Sequence, residues 1–241
     1  MASQSLKRIL IKVSGEALAG DNSFGIEPEF LDQVAQQLWD LSSSGLEVAI
    51  VVGGGNIFRG MSVAAGGADR VVGYHMGMLA TVINSLALGD AINRVGGKSK
   101  VFSNIAMPAV ANTFTVREAR EALDAGYITI CAGGSGNPFF TTDTAAALKA
   151  VELKCDALFK GTQVDGVYSA DPKVDPNAER FDQVSFDEVI AKDLKVMDMA
   201  AFALARDNNL PIYVYQLDVA GGVRAVIDGK ATFTKVAASA E

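Results

Sequence analysis

The sequence predicts an α/β protein with a mostly parallel sheet that helices cover on both faces. Short, largely apolar runs such as Arg8 to Val13 and Val48 to Val52 alternate with segments of helical periodicity. Strands that are apolar along their whole length are typical of parallel sheets, because both faces of such sheets are buried. Right-handed crossovers then bring the strand-to-helix loops to one edge of the sheet, where ligands bind in folds of this class.

In the first half of the chain, β-rich runs predict three strands: Arg8 to Val13, Val48 to Val52 and Lys100 to Ser103. A helix begins at Pro28, which suits a first helical turn, and stops at Gly45. The stretch from Ser62 to Ala68 is predicted as a loop with a possible helical turn. A long helix follows and ends near Gly96; one of its faces is formed by Met76, Leu79, Ile83 and Leu86.

In the second half, capping-box spacings start two helices, one at Thr115 with Glu118 and one at Ser185 with Glu188. Apolar runs predict four further strands: Tyr127 to Cys131, Ala157 to Lys160, Ile212 to Tyr215 and Thr232 to Val236. The remaining helices are predicted at Thr142 to Glu152, around Met197 to Leu204, and at Gly221 to Ile227. Because the segment from Gly161 to Glu179 is rich in Asp, Pro, Gly and Asn, it predicts an excursion at the surface.

The composition narrows the possible functions. The 241 residues are 49% apolar and contain no linker-like segment, which predicts a single domain over residues 1–241. A net charge of −7 disfavours broad nucleic-acid binding. No apolar run approaches the ~20 residues that span a bilayer, and the N-terminus lacks a signal-peptide pattern, so we expect no membrane association and a cytoplasmic location. Two cysteines and one histidine are too few for a metal site of those residues.

The stretch from Ala132 to Asp143, AGGSGNPFFTTD, carries the strongest functional signal. Its glycines let backbone N–H groups approach an anion, and it runs into the N-terminus of a predicted helix, where anions bind well. A tight structural turn is the alternative explanation. The anion site is favoured because short glycine-containing segments also follow three other predicted strands: Ser14-Gly15, Gly53 to Asn56, and Gly161-Thr162.

Three cations are placed to meet such an anion. Lys12 lies one residue inside the end of a buried strand, Lys160 ends another, and Arg59 follows the glycine loop. Each has a plainer alternative, either a lysine that reaches solvent or a surface ion pair. Asp143 is as well explained by helix capping as by catalysis. Phe139 and Phe140 could stack on a base or belong to the core.

Together these groups offer several cations, many backbone donors and no strong nucleophile. That combination suits phosphoryl transfer, in which catalysis consists mostly of positioning and charge neutralisation. The sequence has neither the Walker A pattern nor a Gly-x-Gly-x-x-Gly fingerprint, so an ordinary P-loop enzyme or dinucleotide binder is excluded.

At these residues the sequence resembles the bacterial uridylate kinases of the amino acid kinase superfamily. The resemblance covers nearly the whole chain, and its most specific stretches are Lys12 to Leu18, Gly53 to Gly60, His75 to Thr81, Gly136 to Asp143, Val164 to Tyr168 and Leu194 to Asp198. It implies a three-layer αβα sandwich with a mostly parallel central sheet, the amino acid kinase fold. It also implies transfer of the ATP γ-phosphoryl group to UMP in pyrimidine biosynthesis, with Mg²⁺ held mainly through the ATP phosphates, in a homohexamer.

The resemblance also implies roles for individual residues. The residues expected to act in catalysis are Lys12, Arg59, Asp143 and Lys160, and Asp143 is expected to organise the lysines. The ATP side is expected to comprise Lys12, Ser14, Gly15, Gly55, Arg59, Thr162, Gln163, Tyr168 and Asp171. The residues expected around UMP are Gly54, Tyr74, Ser135, Gly136, Asn137, Pro138, Phe139, Phe140, Thr141 and Thr142. No protein ligand for a metal is expected.

The sequence departs from the family pattern in two places. Tyr74 stands where the family commonly has an Asp that contacts the UMP ribose, and a phenol cannot hold two hydroxyls as a carboxylate does. The positions that match an allosteric GTP site are Gly89, Asn93, Lys100 and Tyr127, of which only Lys100 is charged. We therefore expect weak or absent activation by GTP.

Two alternatives to a UMP kinase remain open. One is a related kinase that phosphorylates a carboxylate or carbamate, against which the stretch from Asn137 to Thr142 argues. The other is a catalytically weak nucleotide-binding regulator, which Tyr74 in place of the expected carboxylate suggests.

Overall fold

The computed structural model describes residues 6–58, 67, 69–172, 174–194, 196–217 and 221–238. Its main sheet has nine strands in the order β4-β3-β5-β2-β1-β6-β10-β11-β9. Those strands are β1 Arg8–Val13, β2 Glu47–Val52, β3 Ser99–Ser103, β4 Asn112–Thr113, β5 Ile128–Ala132, β6 Ala157–Thr162, β9 Gln183–Ser185, β10 Ile212–Gln216 and β11 Phe233–Ala237. A separate antiparallel pair is formed by β7 Val167–Tyr168 and β8 Arg180–Phe181.

Seven α-helices connect the strands in the described part of the chain. They are α1 Pro28–Ser43, α2 Arg70–Arg94, α3 Val116–Asp124, α4 Thr142–Glu152, α5 Phe186–Ala191, α6 Met199–Asp207 and α7 Gly222–Ile227. A 3₁₀ turn at Glu16–Ala19 follows β1. Both helices start at the predicted N-cap residues, since Thr115 Oγ1 accepts from Glu118 N at 3.2 Å and Ser185 Oγ accepts from Glu188 N at 3.1 Å.

The sheet separates two apolar cores, which makes the molecule a three-layer sandwich. Alternate residues of each central strand enter opposite cores: Leu10 packs on the side of α3 to α6, whereas Ile9 and Ile11 pack on the side of α1, α2 and α7. Every neighbouring pair in the main sheet is parallel except β10 with β11. The prediction of a mostly parallel sheet covered on both faces is confirmed.

The structure corrects the strand ends and one helix face. β6 continues to Thr162, so Gly161 and Thr162 end this strand instead of following it, and Lys160 lies two residues inside. The predicted apolar face of α2 is exposed: Met76, Leu79, Ile83 and Leu86 are 36 to 49% accessible. The buried face of α2 is built by residues such as Met78, Val82 and Leu88. The predicted loop at Ser62 to Ala68 lies outside the described residues except for Gly67.

α2 is also long and apolar enough to cross a membrane by length and composition alone, with a mean hydropathy of 1.4 over its most apolar window. Within that window, 44% of the residues are buried inside the protein. The helix packs on β3, β5 and α1.

Candidate active site

Two buried lysines stand side by side at the centre of the sheet. Lys12 in β1 and Lys160 in β6 are register partners in adjacent parallel strands, so their side chains leave the same face. They are only 9% and 6% accessible. Two ammonium groups so placed repel each other and lose hydration, and such a pair needs a counter-charge.

Asp143 supplies that counter-charge from the first turn of α4. Its Oδ2 accepts a hydrogen bond from Lys160 Nζ at 2.5 Å, and Lys12 Nζ lies 3.1 Å from Oδ1. Burial alone would raise the pKa of Asp143, but the charges of Lys12 and Lys160 outweigh burial and lower it. Burial also lowers the pKa of Lys160, an effect that Asp143 opposes.

The cluster therefore keeps one positive charge in excess. Asp143 Oδ1 is buried and receives no hydrogen bond from the described residues, so the contact with Lys12 is an ion pair that leaves the lysine donors free to point elsewhere. Helix capping does not explain Asp143, because the N-cap of α4 is Thr141, whose hydroxyl accepts from the N–H groups of Asp143 and Thr144. The excess charge and free donors are suited to a phosphate.

The loops after β1 and β2 pack closely enough to require glycine. A Cβ on Gly15 would lie 2.5 Å from the carbonyl oxygen of Gly53, so the two backbones touch. Beneath them Asn56 and Asn84, both buried, hydrogen-bond each other, and Asn84 also donates to Gly53 O at 2.7 Å. This amide pair fixes the glycine loop to α2.

A cavity of about 420 Å³ opens beside the lysine cluster. Its lining residues come from the β2 loop, one face of α2 and the loop before α4: Gly54, Gly55, Phe58, Arg70, Gly73, Tyr74, Gly77, Met78, Thr81, Gly134, Phe140, Thr141 and Thr142. Thr142 precedes Asp143 directly, so one end of the cavity adjoins the lysines. Its size suits a small ligand such as a nucleotide.

Half of the residues expected around UMP line this cavity. Gly54, Tyr74, Phe140, Thr141 and Thr142 do, and Gly55, expected on the ATP side, joins them. The other expected residues, Ser135, Gly136, Asn137, Pro138 and Phe139, form the outer part of the same loop without lining the cavity. There Ser135 and Asn137 hydrogen-bond each other, Asn137 N donating to Ser135 Oγ at 3.2 Å.

An aromatic contact joins this outer loop to α2. The rings of Phe139 and Tyr74 lie 5.1 Å apart at an angle of 54°, and the guanidinium of Arg70 lies 5.5 Å from the Phe139 ring centre. Phe139 has a φ of 71°, which few non-glycine residues adopt. Phe139 is 57% exposed, so it is neither core nor part of the cavity wall in this structure.

The residues expected on the ATP side fall into two groups. Ser14 and Thr162 each lie two positions beyond the paired lysines on adjacent strands, next to Gly15 and Gln163. Tyr168 and Asp171 lie on the excursion after β6, where Tyr168 donates to Asp165 Oδ1 at 2.7 Å, a bond that raises the pKa of the phenol. The excursion is tied to β11, since Val167 N donates to Thr234 Oγ1 at 2.8 Å. Arg59 lies outside the described residues.

Sequence reasoning missed several residues that position the site. Asp198, the N-cap of α6, accepts from the hydroxyls of Thr141 and Thr144, the second at 2.7 Å, and so joins the N-termini of α6 and α4. Asn104 donates to Gly134 O at 2.6 Å, and Thr81 Oγ1 accepts from Gly133 N at 2.9 Å. Asp198 and Thr81 lie in the family stretches, but their partners are distant in sequence and no local pattern shows them.

The positions expected for a GTP site make contacts within the protein. Lys100 Nζ lies 4.3 Å from the centre of the Tyr127 ring, and Asn93 Oδ1 accepts from Ser99 N at 3.0 Å. A Cβ on Gly89 would lie 3.2 Å from both Ser99 Oγ and Val101. These contacts do not test GTP binding, so weak or absent activation by GTP stays a prediction.

Comparison with known proteins gives one consistent family. The model of the amino acid kinase family matches residues 7–216. The uridylate kinase of Brucella anthropi is 55% identical over 230 residues, which are 95% of this chain and 96% of that protein. That of Chelativorans sp. is 56% identical over 223 residues, 92% of this chain and 90% of that protein.

Solved structures agree with this. UMP kinase from Bacillus anthracis superposes with a TM-score of 0.93 at 38% identity, covering 98% of this chain and 97% of that chain. UMP kinase from Ureaplasma parvum gives 0.92 at 35% identity, with 96% and 99% covered. The sheet order, the paired lysines with their carboxylate and the adjoining cavity thus occur on a chain that matches these proteins from end to end. The chain belongs to the amino acid kinase family and, within it, to the uridylate kinases.

Proposed function

We propose that the protein catalyses transfer of the γ-phosphoryl group of ATP to UMP, giving ADP and UDP. The observation that carries the proposal is the Lys12–Asp143–Lys160 cluster, which keeps excess positive charge at the end of a nucleotide-sized cavity. The names of the similar proteins supply the acceptor, UMP. The cavity then holds UMP, with its phosphate at the end formed by Gly54, Gly55 and Thr142.

The reaction is a direct displacement. An oxygen of the UMP phosphate forms a bond to the γ-phosphorus of ATP while the bond from that phosphorus to the bridging oxygen of ADP breaks. Negative charge on the transferring group is met by Lys12 and Lys160, which are already buried and positioned and so need little reorganisation. Asp143 holds both ammonium groups in place, and no side chain forms a covalent intermediate. Arg59 is proposed as a further phosphate ligand.

The described part of the chain has few groups that could bind Mg²⁺ directly. Among the described residues no group of three or more His, Cys, Asp or Glu could hold a metal ion, and both oxygens of Asp143 face lysines. This donor set fits a Mg²⁺ that is bound through the phosphates of ATP, as is usual for this ion. When bound, Mg²⁺ would neutralise charge on those phosphates.

The ATP side is proposed at Ser14, Gly15, Thr162 and Gln163, at the carboxyl ends of β1 and β6. Ligands bind outside the strand ends in sheets of this kind. Tyr168 and Asp171 are proposed to meet the adenine nucleotide from the excursion. The ten residues proposed around UMP are those named above, of which five line the cavity.

Further parts of the proposal concern the whole chain. A continuous nine-stranded sheet supports a single domain over residues 1–241. The exposed apolar stripe of α2 supports self-association, and the family resemblance implies a homohexamer. With ATP and UMP as ligands, and neither nucleic acid nor membrane as partner, we propose a cytoplasmic enzyme of pyrimidine biosynthesis.

A coupled assay of ADP release with ATP and Mg²⁺ tests the proposal. UMP should be the best acceptor among the ribonucleoside monophosphates and among carboxylate and carbamate acceptors. Lys12→Ala should lower turnover by orders of magnitude and keep the circular dichroism spectrum unchanged, whereas Lys98→Ala, an exposed lysine away from the cluster, should retain full activity. ADP release only with a carboxylate or carbamate would favour the related kinase, and nucleotide binding without turnover would favour the regulator.

A further inference from the structure

The wall of α2 sets the direction in which a nucleotide lies in the cavity. Gly54 packs against the helix so closely that a Cβ there would meet Gly77 O and Ala80 Cβ at 2.9 Å. Gly54 follows Val51, the register partner of Lys12, by three residues, and Thr142 directly precedes Asp143, so we take this as the end nearest the lysines. The phosphate then lies beside the turn of α2 that contains Gly77. The sugar, which is joined directly to the phosphate, must lie farther from the lysines.

Tyr74 occupies the next turn of this wall. It precedes Gly77 by three residues, which is about 4.5 Å along the helix axis. Arg70 lies one more turn away and also lines the cavity. A phosphate beside Gly77 therefore brings the ribose beside Tyr74, with the base between α2 and the loop that carries Phe140.

The wall at this level offers little to hold a ribose diol. Among the described residues that line the cavity, none is Asp or Glu. The segment 59–68, which follows the β2 loop in the sequence, also contains no acidic residue. A carboxylate can accept from both ribose hydroxyls, whereas a phenol makes one neutral hydrogen bond. The ring of Tyr74 is already engaged with Phe139 at 5.1 Å.

From this geometry we propose, building on the UMP kinase function above, that the site does not read the ribose 2′-hydroxyl. The enzyme then also phosphorylates pyrimidine 2′-deoxyribonucleoside monophosphates, with dUMP as the test substrate. The bonds that form and break at phosphorus are the same as for UMP, and ATP again supplies the phosphoryl group. Sites built to hydrogen-bond a hydroxyl reject the analogue that lacks it by about 10⁴-fold or more. One neutral hydrogen bond gives at most about tenfold.

The experiment compares kcat/KM for UMP and dUMP in ADP release, with the product identified by chromatography. The full-length enzyme should prefer UMP by no more than about tenfold. Tyr74→Phe keeps the ring on Phe139 and removes only the hydroxyl, so its UMP-to-dUMP ratio should stay within about threefold of the parent. Tyr74→Asp should raise that ratio at least about tenfold, because a carboxylate then faces the sugar.

Two outcomes would overturn this proposal, and a third would overturn the proposed function instead. A preference for UMP above about a hundredfold in the parent enzyme would show that another group reads the hydroxyl and would overturn the proposal. An unchanged ratio in Tyr74→Asp would show that position 74 does not face the sugar, with the same result. If neither UMP nor any other nucleoside monophosphate were phosphorylated, the proposed function itself would fail.

Discussion

The two buried lysines of the site destabilise each other through repulsion between their charges. They are register partners on neighbouring strands, and Asp143 contacts both ammonium groups. Because the pKa of Asp143 is lowered in the folded protein, its stabilising effect is present above the ordinary carboxyl value of 3.8 and is lost as the pH falls through the lowered value. Removal of this carboxylate should therefore affect the stability of the fold as well as activity.

Asp143→Asn should lower the free energy of unfolding at pH 7 by about 3 kcal/mol, because it leaves buried ammonium groups uncompensated. The deficit should shrink as the pH rises and Lys160 loses its proton. Urea unfolding at pH 7 and pH 9.5 measures both effects, and Asp124→Asn, at an exposed carboxylate, is the control. A deficit that does not change with pH would mean that the lysines are not the cause.

Lys160 should set the alkaline limit of activity. Burial lowers its pKa below the ordinary 10.5, and the uncharged amine no longer neutralises a phosphoryl group. The logarithm of kcat/KM for UMP should fall at a pH below 10.5 in the parent enzyme. In Lys160→Arg the fall should move to higher pH, since guanidinium stays charged. An unshifted profile in Lys160→Arg, together with an unshifted profile in the control Lys98→Arg, would exclude Lys160 as the titrating group.

At the scale of elements, the loop before α4 depends on another helix for its position. Asp198 caps α6 through Ala201 N at 3.0 Å and holds Thr141 and Thr144 of α4. Since Thr141 also lines the cavity, a change at Asp198 should be transmitted to UMP binding.

Asp198→Ala should lower stability by about 2 kcal/mol, the cost of one helix cap and of released hydroxyls, and should raise the KM for UMP several-fold. Ser185→Ala is the matched control, because it removes only the cap of α5. It should cost about 1 kcal/mol and leave the KM unchanged. Equal effects of the two variants on the KM would mean that the Thr141 contact does not position the loop.

At the scale of elements, the sequence predicts the helices and strands whose cause lies in neighbouring residues. Arg8–Val13 and Thr142–Glu152 are found with their predicted bounds because apolar runs, caps and glycines mark them. The short strands β4, β7, β8 and β9 were missed, since two or three residues carry no periodicity. The lysines and glycine loops of the site were predictable for the same local reason, whereas Asp198 and Asn84 act through contacts across the fold.

At the scale of the whole molecule, α2 has apolar surface that the described part of the chain leaves exposed. Periodicity finds the stripe Val72, Met76, Leu79, Ile83 and Leu86, but a single sequence does not tell whether the core or another subunit buries it. These side chains are 36 to 52% exposed and repeat at steps of three and four, as in a helix face that packs on a partner.

Replacement of Leu79 and Ile83 by Glu should lower the oligomeric state, because two charges would have to be buried in the contact. Sedimentation velocity should show a smaller species with unchanged secondary structure. Val174→Glu is the control, since Val174 is 80% exposed and lies outside the stripe. If both variants sediment like the parent, the stripe is not a subunit contact.

Glycine backbone forms the wall of the cavity at Gly54, and this bears on how the enzyme could escape an inhibitor. Gly54 has no room for any side chain, because Gly77 O and Ala80 Cβ would be 2.9 Å from its Cβ. A compound that binds the backbone there leaves few substitutions by which resistance could arise without damage to the fold. Tyr74, one turn away, offers the opposite property: an aromatic side chain in the cavity wall through which a compound could be made selective for this protein.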